Sequence, residues 1–198
     1  MVIVALGDST TAGTPYFKSA IEAPPDGEGN VAAPFPQWLE LQHPGWTVLN
    51  HGVNSERSDE IAARFDRDVL AHHPRLVIII AGVNDVYQGR DADSVIVNLR
   101  GMYDRAKAAT LPVIAGSIVP YNTASRAQNL TMRAINDWVR AEATRDSNVT
   151  FADTHLAAAH ADKIDQLAGS PDGLHPDING YRRMADAIAA AIMATIKN

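Results

Sequence analysis

Three side chains of this sequence, Ser9, Asp172 and His175, are of the types that together carry out nucleophilic attack. A serine hydroxyl needs a base that takes its proton, and histidine, with an ordinary pKa of about 6.5, can do so at neutral pH. The histidine needs a carboxylate that fixes its tautomer and stabilises the imidazolium. Because Asp172 stands three positions before His175 in a turn-forming stretch, these two side chains can meet without long-range packing. The spacing favours His175 as the base among the seven histidines of the chain.

Two further residues could stabilise the negative charge that such an attack creates on a carbonyl oxygen. A glycine N–H without an obstructing side chain and an asparagine amide are suitable donors. Gly52 and Asn84 provide these groups, and with the serine, the histidine and the carboxylate they complete what ester hydrolysis requires. Each residue also has a simpler interpretation: Ser9 as a helix cap, Gly52 as a turn glycine and Asn84 as a capping residue. Any one motif taken alone leaves these alternatives open.

Apolar runs rich in β-branched residues alternate with segments of helical periodicity along the chain. The predicted strands are 2–6, 46–50, 75–81, 112–118 and 149–152. The predicted helices are 35–43, 58–72 with Ser58 or Asp59 as its cap, 93–109, 126–145 and a final helix that ends near residue 197. This alternation predicts one domain, 1–198, with a doubly wound α/β sheet and right-handed crossovers.

Polar motifs directly follow three of the predicted strands, at 8–9, 50–52 and 82–85, and the motif at 172–175 falls in a predicted loop. The carboxyl ends of parallel strands converge on one edge of a sheet, so these motifs can meet there. Within them, we expect Asp8 to support its turn by hydrogen bonds. We expect Asp85 to cap its loop or to pair with a neighbouring residue.

The segment 11–34 is rich in proline and glycine and shows little periodicity. A loop of this length inside a compact domain is uncommon and is often functional. Two interpretations are open: the segment walls the crevice beside Ser9, with Tyr16 and Phe17 on one side of the pocket, or it is a disordered surface insertion.

Composition excludes several classes of function. The formal net charge of −6, without any basic run, argues against nucleic acid and anionic membranes as partners. The absence of cysteine excludes disulfides, zinc-thiolate sites and a cysteine nucleophile. His155 and His160 are poorly spaced for two ligands on one helical face, so we predict no metal site. The longest strongly apolar stretch, 76–82, is too short to span a membrane. We expect a cytoplasmic protein, unless a signal peptide has been removed; the oligomeric state is left open.

Taken together, these motifs resemble the SGNH hydrolases, also known as the GDSL esterase and lipase family. The matching blocks occur in the family's order: Gly7-Asp8-Ser9, Asn50-x-Gly52, Gly82-x-Asn84-Asp85 and Asp172-Gly173-Leu174-His175-Pro176. The resemblance implies a flavodoxin-like three-layer α/β/α sandwich with a five-stranded parallel sheet, and neither a metal nor an organic cofactor.

The resemblance also implies a role for each site residue. Ser9 would be the nucleophile, His175 the base and Asp172 the residue that orients it. The N–H groups of Ser9 and Gly52 and the side chain of Asn84 would form the oxyanion hole.

The chain departs from the family pattern at two positions. Thr10 stands where the family name has leucine, and Ser55 stands where the second block often carries another glycine. Neither change removes a catalytic group, so both bear on specificity rather than on the class of reaction.

The leading hypothesis is a serine esterase that hydrolyses small to medium acyl esters through an acyl-enzyme on Ser9, with acyl transfer or thioester cleavage as conceivable side activities. A flavodoxin-like module that binds phosphate or another anion is the alternative, because helix N-termini after a first strand bind anions. The sequence lacks a P-loop lysine there, and such a module has no need of the Asp172–His175 pair. A catalytically silent relative is a third, weaker hypothesis. The natural ester is left open.

Overall fold

The strand that precedes Ser9 lies inside a five-stranded parallel sheet. Within residues 1–197, which the computed structural model describes, the strands are β1 (Val2–Gly7), β2 (Phe17–Lys18), β3 (Glu28–Gly29), β4 (Thr47–Gly52), β5 (Leu76–Ile80), β6 (Val113–Gly116), β7 (Val149–Ala152), β8 (Ala159–His160) and β9 (Lys163–Leu167). The sheet has the order β4-β1-β5-β6-β7, and every neighbouring pair is parallel. The remaining strands form two antiparallel ribbons, β2 with β3 and β8 with β9.

Helices cover both faces of this sheet. In chain order they are α1 (Ser9–Ala12), α2 (Phe35–Gln42), α3 (Ser58–Ala63), α4 (Phe65–Asp68), α5 (Val83–Tyr87), α6 (Ala92–Ala108), α7 (Arg126–Arg145), α8 (Thr154–Ala158) and α9 (Ile178–Ile196). Alternate residues of β1 face opposite sides: Val4 and Leu6 pack with α3, α4, α6 and α7, whereas Ile3 and Ala5 pack with α2 and α9. The result is the three-layer α/β/α sandwich that the family resemblance implies.

The strand order indicates which part of the sheet edge should hold the functional site. Counted along the chain, the five strands lie in the order 2-1-3-4-5, which is typical of flavodoxin-like folds. The order reverses between β1 and β5, and ligands of such folds bind at the carboxyl ends of the strands beside this reversal. The motif after β1 and the motif after β5 therefore flank the expected crevice.

The predicted helix 58–72 is wrong in its extent and in its cap. The chain instead forms α3, α4 and a 3₁₀ turn at Leu70–His72, and the residue before α3 is Arg57. The break falls at Arg64, whose φ of −98° and ψ of 5° lie outside the helical region. Its buried side chain donates to the carbonyl oxygen of Gly7, 57 positions away, a contact that the periodicity of the segment does not reveal.

The segment 11–34 is packed onto the fold, so its interpretation as a disordered insertion is wrong. Ala33 is fully buried, and Phe17 of β2 is also buried, with its ring so close to Gly27 that an added Cβ there would meet it. The buried Ser19 hydroxyl donates to the carbonyl oxygen of Gly52 at 2.6 Å, which ties the segment to the end of β4.

Candidate active site

Ser9 is the first residue of α1, directly after the turn that ends β1. The helix is capped by Asp8, whose Oδ1 accepts the N–H of Thr10 at 2.9 Å, as expected of a residue that supports the turn. The interpretation of Ser9 as the cap is therefore wrong. Gly7 is required by close packing, since an added Cβ would lie 2.5 Å from the carbonyl oxygen of Ile80.

The structure brings Ser9, His175 and Asp172 into one hydrogen-bonded chain. The Nε2 atom of His175 lies 2.9 Å from the Oγ of Ser9, and its Nδ1 lies 2.7 Å from Oδ2 of Asp172. The turn between the two residues depends on Gly173, which has a φ of +78°. The hydroxyl, the imidazole and the carboxylate therefore stand in the order that proton transfer from the serine requires.

The Asp172 carboxylate is held in its charged form. Burial alone would raise its pKa, but the hydrogen bonds from the His175 side chain and from the backbone N–H groups of His175 and Leu174 lower the pKa below its ordinary value. Both N–H groups reach the second carboxylate oxygen at 2.9 Å. An ionised carboxylate is the form that orients an imidazole and stabilises its cation.

Asn84 lies near the start of α5 and lines the same cavity as Ser9 and His175. Its Nδ2 donates one hydrogen bond to the carbonyl oxygen of Glu56 at 2.9 Å. Because an amide carries two N–H groups, this bond orients the side chain and leaves the second N–H for another acceptor. Its neighbour Asp85 is buried and accepts hydrogen bonds from the N–H and the hydroxyl of Ser58, so it pairs with a neighbour as expected.

Gly52 does not line the cavity, so the structure does not bring it together with the other expected oxyanion donors. Its N–H donates to Oδ1 of Asn50 at 3.1 Å, and it is absent from the residues that line the cavity. An added Cβ on Gly52 would lie 2.1 Å from the backbone nitrogen of Ala12. Glycine is therefore needed here because α1 packs against the end of β4.

Ser55, which sequence analysis did not assign to the site, lines the cavity together with its neighbour Asn54. It has a φ of +65°, a left-handed conformation that favours glycine, and it lines the cavity. Within residues 1–197, no backbone carbonyl accepts the N–H of Ser55 or of Ser9. The sequence did carry a signal for this residue, because the second block of the family often has glycine at the position of Ser55.

The cavity beside Ser9 has a volume of about 390 Å³. One set of lining residues is polar, comprising Thr10, Thr14, Asn54, Ser55 and Gln88. A second set is apolar or aromatic, comprising Val83, Tyr87, Tyr121 and Leu174. The segment 11–34 contributes Thr14, whereas Tyr16 and Phe17 do not line the cavity, so the wall expected from these two residues is not formed.

A second carboxyl group lies beneath the nucleophile. Asp8 is fully buried, and its Oδ2 has no hydrogen-bond partner among residues 1–197. Burial raises the pKa of Asp8 to about 6, against the lowering effects of the Thr10 N–H and of the nearby His175. The group therefore ionises at a higher pH than an ordinary aspartate.

The sequence of residues 5–183 matches the model of the GDSL-like lipase/acylhydrolase family. The chain belongs to this family. This GDSL protein is accordingly a carboxylic ester hydrolase, and its substrates are esters. An acetylxylan esterase from Geobacillus stearothermophilus is 26% identical to it over 212 positions, which cover 96% of this chain and 93% of the esterase.

Solved structures show the same fold at lower identity. A member of the lipolytic G-D-S-L family from Veillonella parvula superposes on the GDSL protein with a TM-score of 0.80, at 21% identity and with 98% of each chain covered. The psychrotrophic esterase EstA from Pseudoalteromonas gives a TM-score of 0.72 at 19% identity, with 100% of this chain and 99% of EstA covered.

None of the helices between residues 1 and 197 has both the length and the apolarity needed to cross a bilayer.

Proposed function

We propose that this GDSL hydrolase cleaves small to medium acyl esters through a covalent acyl-enzyme on Ser9. The observation that carries the proposal is the hydrogen-bonded chain from the Ser9 hydroxyl through His175 to Asp172, with distances of 2.9 and 2.7 Å. An anion-binding module has no need of this chain, so the same observation disfavours that alternative.

The reaction has two steps, and His175 moves a proton in each. In the first, His175 takes the Ser9 proton as Oγ attacks the ester carbonyl carbon, and it then gives that proton to the departing alcohol oxygen. This leaves the acyl group bonded to Ser9. In the second step, His175 takes a proton from water, the resulting hydroxide attacks the acyl carbon, and the carboxylic acid is released while Ser9 regains its proton.

The oxyanion of each tetrahedral intermediate would be stabilised by three donors: the N–H of Ser9, the N–H of Ser55 and the Nδ2 amide of Asn84. The support is that all three residues line one cavity with His175, and that no backbone carbonyl within residues 1–197 occupies the two N–H groups. Ser55 takes the part that sequence analysis gave to Gly52, whose N–H is used by Asn50.

The size and lining of the cavity suggest the class of ester. A volume of about 390 Å³ is near the lower end of the roughly 300–1,000 Å³ typical of ligand pockets. Thr14 and Asn54 are hydrogen-bonded to each other, and their remaining polar atoms could bond the hydroxyl groups of a sugar while the exposed ring of Tyr87 lies against its face. Together with a curated relative that is an acetylxylan esterase, these features support our proposal of acetylated carbohydrates as the small esters.

Hydrolysis of a p-nitrophenyl ester series from acetate to decanoate tests this proposal. We expect Ser9-dependent turnover that is highest for the shortest acyl groups, and release of acetate from acetylated xylose. Ser9→Ala should be inactive, and the exposed Ser147→Ala serves as the matched control. Equal activity of wild type and Ser9→Ala would refute the mechanism, and a preference for decanoate would refute the substrate class.

A further inference from the structure

A buried cation lies next to both loops that supply the proposed donors. The Arg64 side chain is only 6% exposed. Its Nη2 donates to the carbonyl oxygen of Gly7 at 2.7 Å, and its Nε donates to Oε2 of Glu56 at 2.6 Å. Its third nitrogen, Nη1, donates to Oδ2 of the buried Asp68 at 2.7 Å. Arg64 does not line the cavity, so any effect it has on the reaction passes through these partners.

Two of these partners stand beside groups of the proposed mechanism. Gly7 is the last residue of β1 and comes two positions before Ser9. Glu56 directly follows Ser55, and its carbonyl oxygen accepts the amide N–H of Asn84 at 2.9 Å. One guanidinium therefore connects the strand that carries the nucleophile with the loop that carries one oxyanion donor and orients another.

We propose that Arg64 is a positioning residue that fixes the oxyanion donors relative to Ser9. This role rests on the function proposed above and adds the group that sets its geometry. A guanidinium is suited to the task because its donors lie in a rigid plane and can reach Gly7, Glu56 and Asp68 at once. A lysine ammonium has the same charge but is a compact group on a flexible stem, so it cannot hold all three partners in this arrangement.

The carboxylates around Arg64 favour a positively charged side chain at this position. Asp68 is 2% exposed and lies between two arginines, since Arg67 also contacts it at 2.5 Å. Burial alone would raise the pKa of Asp68, but the hydrogen bonds from Arg67 and Arg64 lower it. Arg67 differs from Arg64 in one useful respect: its side chain is 69% exposed, and its hydrogen bonds go to Asp68 rather than to Gly7 or Glu56.

Arg64→Lys and Arg67→Lys form a matched pair that separates positioning from general stabilisation. Both variants weaken an ion pair with Asp68, and only the first breaks the connection between Gly7 and Glu56. We expect kcat for p-nitrophenyl acetate to fall about 10²-fold in Arg64→Lys, because a displacement of about 1 Å has that effect. KM should change little, because Arg64 does not touch the substrate. Arg67→Lys should keep the wild-type kcat.

A second variant keeps the test decisive if Arg64→Lys does not fold. Glu56→Gln preserves the size of the side chain and the backbone carbonyl that accepts from Asn84, and it weakens only the charged bond to Arg64. It should lose part of kcat, again with little change in KM, at a temperature where circular dichroism shows that it is folded. A folded variant of either kind with the wild-type kcat would overturn the proposal.

Comparison with Ser9→Ala separates this proposal from the one on which it rests. If Ser9→Ala is inactive while folded Arg64→Lys or Glu56→Gln has the wild-type kcat, only the positioning role fails. If Ser9→Ala itself retains activity, the proposed function fails, and the positioning role fails with it.

Discussion

His175 Nε2 lies 2.9 Å from Ser9 Oγ, although the two residues are 166 positions apart in the chain. The contact depends on two turns: one follows β1, and the other precedes α9 and also brings Asp172 to the imidazole. Because the sheet order reverses beside β1, both turns open into the same crevice. This contact is the basis of the predictions that follow.

Removal of the base should be as damaging as removal of the nucleophile. We expect His175→Ala to lower kcat by on the order of 10⁶-fold, about as far as Ser9→Ala, because the members of a triad act as a unit. Asp172→Asn should lower kcat by on the order of 10⁴-fold and leave measurable activity. Steady-state kinetics with p-nitrophenyl acetate measure both, and His160→Ala is the control. Full activity in His175→Ala would exclude the assignment of the base.

Asn84→Ala should act on the transition state rather than on substrate binding. Loss of one oxyanion donor lowers kcat by about 10²–10³-fold, and KM should change much less. Circular dichroism would show whether the variant keeps the fold, since the lost bond to Glu56 is also structural. If kcat is unchanged in a folded Asn84→Ala protein, the asparagine is not an oxyanion donor.

Ser55 should contribute its backbone and not its side chain. Ser55→Gly keeps the N–H and removes the steric cost of a left-handed conformation, so we expect the wild-type kcat and a free energy of unfolding higher by about 1 kcal/mol. Urea denaturation and ester kinetics measure these two quantities.

A backbone substitution shows directly whether the N–H of Ser55 or that of Gly52 is the oxyanion donor. An α-hydroxy acid at position 55 replaces the N–H with an ester oxygen, and we expect it to lower kcat by about 10²-fold or more. The same replacement at position 52 removes the hydrogen bond to Asn50 and should affect stability more than kcat. The reverse pattern would return the donor role to Gly52.

The buried Asp8 should make the stability of the enzyme depend on pH in a defined window. Its pKa of about 6 in the folded state is above the value of about 3.9 expected for an unfolded chain. A raised pKa means that the carboxyl favours folding when protonated, and this contribution is lost as the pH rises through 6. Relative to Asp8→Asn, the wild type should lose on the order of 3 kcal/mol between pH 4 and pH 7.

Urea denaturation of both proteins across this pH range measures the difference. Asparagine is also a good N-cap, so the bond to the Thr10 N–H can be kept in the variant. Groups that do not interact with Asp8 contribute equally to both proteins and cancel, so the difference reports Asp8 and its coupling to His175 and Asp85. A difference that does not change with pH would show that Asp8 ionises normally.

The sequence predicted the sheet and the hydrogen bond between Asp172 and His175 because both are encoded locally. Runs of β-branched residues define the strands, and the spacing of Asp172 and His175 requires only a turn. The sequence could not show whether Gly52 serves for its N–H or for its missing side chain, because only tertiary packing reveals that α1 packs against it. The break after α3 was missed because Arg64 bonds to Gly7, 57 positions away.

Covalent labelling of Ser9 tests the central claim most directly. The wild-type protein would be incubated with an alkyl p-nitrophenyl phosphonate, whose phosphorus accepts attack by an activated serine, and its mass would be measured intact and after digestion. We predict a single adduct on the peptide that contains Ser9, with no adduct in Ser9→Ala and greatly slowed labelling in His175→Ala. Labelling of a different residue would contradict the account. So would a protein that hydrolyses esters but does not react with the phosphonate.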